Sequence, residues 1–213
     1  TGTAAHGAHV HLGENAIDRL RAALDAVSAL RDLKVAAPPA VTAAIAAAKP
    51  VSEALAGAGE ARVLGSVTVN IGRVEGGTAP NLVPATARAA CDIRLPVGVA
   101  CADAEVALSA GLDALPGIAW RVLRRFEPNH TDPAADIVRV THAAAQEVLG
   151  GTVAVNMRVG GSDARWFRMA GLPTVVYGPT PHNMGGADEW ADVAELEAVT
   201  RVHALAAFDF LAG

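Results

Sequence analysis

The sequence predicts an α+β domain over residues 1–126, a split βαβ sandwich with a four-stranded antiparallel sheet and two helices. An incomplete α/β segment follows over residues 127–213. Three observations predict this. Up to residue 123 the patterned segments run in the order β-α-β-β-α-β. Two of them, near residues 63–71 and 86–95, alternate apolar and polar residues as the arms of a hairpin do. Beyond the Pro-flanked stretch Glu127–Pro133 the pattern changes to helices and short apolar runs, with too few strands to close a doubly wound sheet.

The first strand is placed at His6–His11. Ile17, Leu20, Leu24, Val27 and Leu30 recur at helical spacing with Arg19, Arg21, Asp25 and Arg31 between them, so residues 14–34 are read as an amphipathic helix. From Ala36 to Ala61 an Ala/Pro-rich stretch is broken by Pro38-Pro39 and Pro50 and reads as short helical turns in a mostly irregular connection. Val63, Gly65, Val67, Val69 and Ile71 then mark one face of a half-buried strand. The chain turns at Glu75-Gly76-Gly77. In the return strand Ala87, Ala89, Cys91, Ile93 and Leu95 share one face, and Thr86, Arg88, Ala90, Asp92 and Arg94 the other. A helix near 102–114 and a strand near 118–123 complete the domain. In the tail, helices are expected near 134–149, 162–170 and 193–211, with a short strand at Val153–Met157. Leu172–Tyr177 reads as a strand buried on both faces.

Composition excludes several classes of function. Of 213 residues, 52% are hydrophobic and 18% charged, enough apolar material for cores and too little charge for disorder. A net charge of −5 without a Lys/Arg run argues against nucleic acid and anionic membranes. No apolar stretch approaches the ~20 residues that span a bilayer. Cys91 and Cys101 are the only cysteines and are expected to be free, buried or partly buried thiols in a reducing, cytoplasmic compartment. The start, Thr1-Gly2-Thr3, has neither an initiator methionine nor the pattern of a signal peptide. It is expected to be a chain boundary or a cleavage product.

Four constellations could carry chemistry. His6, His9 and His11 lie within six residues, but only His9 and His11 would share a strand face, so one functional histidine is a better reading than a metal site. Gly76-Gly77-Thr78-Ala79-Pro80-Asn81-Leu82-Val83-Pro84, ending in Asp92-Ile93-Arg94, reads as a hairpin. Its Arg94 lies opposite the apolar face, where the guanidinium fork suits a carboxylate ligand. In Val159-Gly160-Gly161-Ser162-Asp163, Ser162 or Asp163 could cap a helix, and the glycines allow a close backbone approach. Pro181-His182-Asn183-Met184-Gly185-Gly186-Ala187-Asp188-Glu189 follows an apolar strand, at the edge where α/β sites collect. His182 with the Asp-Glu pair is a plausible ligand set but an incomplete one. His130-Thr131-Asp132 has the His-x-Asp form but lies between prolines and reads as a solvated linker.

Together, in this order, the Asn-Leu-Val-Pro and Asp-Ile-Arg strings with Gly-Gly-Ser-Asp-Ala-Arg resemble the family of aminoacylases, glutamate carboxypeptidases, acetylornithine deacetylases and succinyl-diaminopimelate desuccinylases. The resemblance implies that residues 1–126 are a lid that also dimerises and that residues 127–213 are the C-terminal part of a catalytic zinc domain. It places His6 as the catalytic residue that reaches into the partner's site and stabilises an oxyanion. It places Asn81 near the substrate, Arg94 on the substrate carboxylate, and Gly160, Gly161 and Ser162 in the pocket loop; His182, three residues before the position the family gives to a zinc histidine, is the candidate metal ligand in its stead.

The match has two departures. The family's N-terminal part, with its His-x-Asp motif, bridging Asp and Glu-Glu pair, has no counterpart here, and no Glu-Glu pair occurs in the sequence. Gly185 stands where the family's last zinc histidine is expected, three residues before Asp188. The resemblance therefore implies a homodimeric amidohydrolase for N-acyl amino acids or dipeptide-like carboxylates. Zinc is the expected metal, with cobalt or manganese as alternatives. The 213-residue chain alone is expected to be inactive and to bind little or no metal. The alternatives are a non-catalytic module that dimerises or binds small carboxylates and an independent metalloenzyme on His130, Asp132 and His182.

Overall fold

The computed structural model describes residues 1–158 and 160–212. The chain divides into two compact units. The first comprises Thr1–Ala37 with Gly65–Pro128, and the second Pro38–Leu64 with residues 129–212.

In the first unit β1 (Ala5–His6) leads into a 3-10 turn over Gly7–Leu12, and α1 spans Ala16–Ser28. Asn15 starts α1: its Oδ1 accepts from the N–H groups of Ile17 at 2.8 Å and Asp18 at 3.3 Å, satisfying donors that no turn of helix can reach. β2 (Thr68–Gly76) and β4 (Ala87–Arg94) form the expected hairpin, antiparallel from Thr68↔Arg94 to Gly76↔Ala87. Along β4 half-buried and exposed residues alternate strictly, as the sequence pattern requires. A bulge between Ile71 and Arg73 shifts the register, and Ile71 is exposed while Val67 and Val69 are buried. In the connection lies β3 (Leu82–Val83), and α4 (Cys101–Leu112) follows the hairpin. The core joins Ala23 and Leu30, from α1 and the turn after it, with Val67, Val69, Val99, Leu108 and Leu112.

The expected four-stranded sheet is not formed. Two separate two-stranded sheets, β1–β3 and β2–β4, take its place. The strand expected at His6–His11 ends after His6, because the 3-10 turn uses the following backbone groups locally. Residues 118–123 carry no strand. They are held instead by side chains: Ile118 and Trp120 pack on the core, and the Trp120 Nε1–H donates to Asp113 at 2.9 Å.

In the second unit α2 (Pro39–Ala56) and α3 (Glu60–Leu64) replace the irregular connection expected there. Alanine, the strongest helix former, fills much of α2, and Pro39 occupies the first turn, where proline's fixed φ and missing N–H are harmless. The helix continues through Pro50 despite the ladder bond that residue cannot make. The tail contributes α5 (Asp136–Leu149), α6 (Ala164–Met169) and α7 (Val193–Ala212). Val140, Ala144 and Ala145 of α5 bury against Val202 and Ala206 of α7, and left-handed Gly150 ends α5. Val153–Met157 and Leu172–Tyr177 belong to no strand among the described residues. No described helix is long and apolar enough to cross a membrane.

Candidate functional site

Two of the residues singled out from the sequence lie side by side. In the β1–β3 ladder His6 is opposite Leu82, and the Gly7 N–H donates to the Asn81 carbonyl at 2.7 Å. The two backbones approach so closely that a Cβ on Gly7 would meet Asn81 O at 3.1 Å, which makes glycine the fitting residue there. Next to this ladder lies a cleft of about 290 Å³ lined by Ala4, Ala5, Gly77, Leu82, Val83 and Thr86 among others.

The exposed His6 side chain caps the 3-10 turn. Its Nδ1 accepts the Ala8 N–H at 3.1 Å. A neutral imidazole has one donor and one acceptor nitrogen, so this bond puts the proton on Nε2. His6 thus offers an outward N–H donor, the group an oxyanion requires. The His6 and His9 rings are 6.3 Å apart, and those of His9 and His11 6.0 Å apart.

Arg94 stands at the end of β4, ~23 Å along an extended strand from Ala87, on the exposed face that also carries Asp92. Its Nε donates to Asp92 Oδ2 at 2.8 Å. A second ionic group on the hairpin joins Arg73 and Arg88 to Glu75.

The Gly160–Ser162 loop leads directly into α6: the Ser162 carbonyl accepts from Arg165 at 3.2 Å and that of Asp163 from Trp166 at 2.9 Å. Asp163 occupies the cap position but makes no side-chain cap bond. Val159, which begins this motif, lies outside the described residues.

His182 is held on two sides. Its N–H and C=O pair with Trp190 at 2.9 and 3.2 Å, and its ring stacks on that of Trp190 with centroids 3.9 Å apart and planes 11° apart. Between them the chain closes through left-handed Asn183, Gly185 and Asp188. The Gly185 N–H donates to Glu189 at 3.1 Å. His182 stands six residues before Asp188 in sequence, yet the closed loop pairs it with the residue that follows Glu189. Histidine and carboxylate are donor types suited to zinc. Among the described residues, however, no group of three His, Cys, Asp or Glu side chains converges on one point, so these residues do not build a metal centre by themselves.

The segment expected to be a solvated linker is instead half-buried and hydrogen-bonded. Thr131 Oγ1 donates to Thr174 O at 2.6 Å and accepts from Thr174 N at 2.9 Å, and Arg168 reaches both Thr131 and Asn129. Asn129, Thr131, Arg168 and Trp190 were not singled out from sequence. The signal available was a run of side chains able to bond backbone, Asn129-His130-Thr131-Asp132, flanked by prolines.

Both cysteines are free thiols, Cys101 buried and Cys91 partly so, as the sequence reading expected. Burial pushes both upward, and the nearby Glu127 raises Cys101 further. Tyr177 is raised by burial and then by Glu195.

Residues 1–115 match a peptidase dimerisation domain, that of the M20 family. A probable carboxypeptidase of Aspergillus fumigatus is 32% identical over 208 residues, covering 94% of this chain and 40% of the fungal protein. Succinyl-diaminopimelate desuccinylase of Methylobacterium nodulans is 32% identical over 134 residues, covering 60% of this chain and 33% of that enzyme. The chain thus spans about 40% of the length of the curated carboxypeptidases it matches. Among solved structures, an M20 family metallo-carboxypeptidase of Sulfolobus solfataricus superposes with a TM-score of 0.69 at 15% identity, covering 97% of this chain and 55% of its own. A tripeptidase of Staphylococcus aureus superposes at 0.64 with 16% identity, covering 96% and 48%. These structures establish the likeness of fold. With its dimerisation domain matched over residues 1–115, the chain belongs to the M20 peptidase family.

Proposed function

We propose that residues 1–126 form the lid and dimerisation domain, and residues 127–213 the C-terminal catalytic segment, of a metal-dependent amidohydrolase. Its substrates are N-acyl amino acids or dipeptide-like carboxylates. The observation that carries this reading is the β1–β3 ladder, which places His6 beside Asn81 inside the residues matched by the dimerisation domain.

On this reading the Nε2–H of His6, set by the Ala8 bond, donates to the oxygen that gains charge as the amide carbonyl is attacked. It does so in the partner subunit's site, which is why the lid must dimerise. Asn81 contacts the same substrate. Arg94, exposed at the end of β4 and braced by Asp92, binds the substrate carboxylate. Gly160, Gly161 and Ser162 line the pocket. His182 contributes one donor to the metal, taken to be zinc with cobalt or manganese as alternatives, and the remaining donors come from outside this chain. The 213-residue chain alone is therefore inactive, and the assembled enzyme is cytoplasmic. A second reading, a non-catalytic dimerisation or carboxylate-binding module, is favoured only by the fact that the matched domain is the dimerisation domain.

The deciding experiment is His6→Ala in the complete enzyme, assayed on N-acetyl amino acids. Loss of an oxyanion donor lowers kcat by about 10²–10³-fold with little change in KM. An effect confined to KM would overturn the assigned role.

A further inference from the structure

Resting on the reading that Gly160–Ser162 lines the substrate pocket, we propose that Arg168, clasped by Asn129 and Thr131, is a positioning residue that sets this loop for substrate binding. Arg168 lies on α6, the helix that the loop enters without a break. Its Nη1 donates to Asn129 Oδ1 at 3.2 Å, and its Nε lies 3.2 Å from Thr131 Oγ1 and 3.1 Å from Thr174 O. Asn129 returns a bond to the same helix, from Nδ2 to the Arg165 carbonyl at 3.2 Å. The helix is thus fixed at two points one turn apart, and its first turn fixes Ser162.

Thr131 is the hub. Its single hydroxyl proton goes to Thr174 O at 2.6 Å, and its lone pairs accept from Thr174 N at 2.9 Å and from Arg168. A hydroxyl has one donor and two acceptor positions, and all three are used. Through Thr174 the clasp also holds the extended segment that runs on toward His182. One network therefore ties together the two stretches of the tail to which sequence assigned substrate and metal contacts.

The chemistry of Arg168 separates this clasp from an ordinary ion pair. Burial pushes its guanidinium down from the usual arginine value, and no carboxylate pairs with it among the described residues. Its partners are all neutral oxygens: Nη1 meets Asn129, while the Nε–H is shared between the adjacent Thr131 hydroxyl and Thr174 carbonyl. Only a planar fork with several N–H groups meets them together, and a lysine ammonium on a flexible stem does not. Keeping a half-buried cation without a counter-charge is unfavourable for stability alone, which points to geometry as what Arg168 supplies.

The test uses the complete enzyme and the best-cleaved member of a panel of N-acetyl amino acids. Thr131→Val keeps the side-chain shape and removes the hydroxyl, whereas Thr131→Ser keeps the hydroxyl. Thr131→Val and Arg168→Lys are expected to raise KM about tenfold, the scale of one charge-assisted bond, with kcat within about threefold of wild type. Thr131→Ser restores KM. If Thr131→Val fails to fold, Arg168→Lys carries the measurement. Unchanged KM in the variants of an active enzyme, or a fall in kcat alone, overturns the positioning role and leaves the functional reading intact. A complete enzyme that cleaves no N-acetyl amino acid overturns both.

Discussion

The two units differ in how they complete their extended segments. In the first, β2 finds β4 eleven residues after it ends, and β1 finds β3 across α1, α2, α3 and β2, so every strand has a partner within the unit. In the second, Val153–Met157 and Leu172–Tyr177 are as apolar as strands but join no ladder among the described residues. Among the described residues, large apolar side chains that are half exposed or more are more numerous in the second unit, although Val10, Leu12, Val74, Val106 and Leu123 of the first are exposed as well. Trp166, Phe167, Met169, Phe208 and Leu211 of the tail are each half exposed or more, Leu211 at 84%. Extended apolar segments that join no ladder leave apolar surface open to solvent. The chain spans about 40% of the length of its curated carboxypeptidase relatives.

The largest expected effect bears on that contrast. In native-state hydrogen exchange of the 213-residue chain, the paired amides of β2 and β4 should exchange on the order of 10³-fold more slowly than those of Val153–Ala154 and Val175–Val176. Helical amides of α5 and α7, which pack on each other, should be protected like the hairpin. Equal protection of the tail's extended segments would break the comparison, because those segments would then have found partners of their own.

Glycine sharpens it. Gly98 has φ +103, and a Cβ there would meet the backbone of Ala36 and Ala37 at 2.4–2.7 Å. Gly98→Ala should cost roughly 2–4 kcal/mol, from the left-handed backbone and the clash together. Gly171 in the tail also has positive φ, +79, but open space around it, so Gly171→Ala should cost only about 1 kcal/mol. Chemical denaturation of the two variants measures both. A Gly171 variant as damaged as the Gly98 one would show that the tail is closed at that point after all.

Legibility followed the same line. The hairpin was readable because a period of two over Ala87–Arg94 has no competing interpretation, and α1 because its apolar stripe is regular. The sheet was over-read: His6–His11 alternates only over His9-Val10-His11, Gly7 and the cap made by His6 favour a turn, and the apolar residues of 118–123 are satisfied by packing rather than pairing. α2 was under-read because proline was weighed as a breaker without regard to its place in the helix. Of the candidate site, family likeness named His6 and Asn81 separately, and the 74 residues between them hide the ladder that brings their backbones together. The clasp at Asn129–Thr131 was missed because its partners, Arg168 and Thr174, lie about forty residues on and no local pattern announces them.

The smallest effect is electrostatic and belongs to the first unit. Helix α4 is preceded by Ala100, which offers no capping side chain. Glu127 replaces it, accepting the Cys101 N–H at 3.0 Å, and this bond holds its carboxyl below the usual carboxylate range. A depressed folded-state pKa contributes stability that is fully present above the unfolded value of about 4.3 and is lost as pH falls through the folded one. Glu127 is largely exposed, so solvent screens the contribution and it is small. Glu127→Gln keeps an acceptor but cannot titrate. The variant should therefore be slightly less stable than wild type at neutral pH, and the gap should close on acidification below the carboxylate range. A gap independent of pH would mean that Glu127 acts at the helix start through its shape and neutral hydrogen bonding, and that its charge adds nothing to the cap.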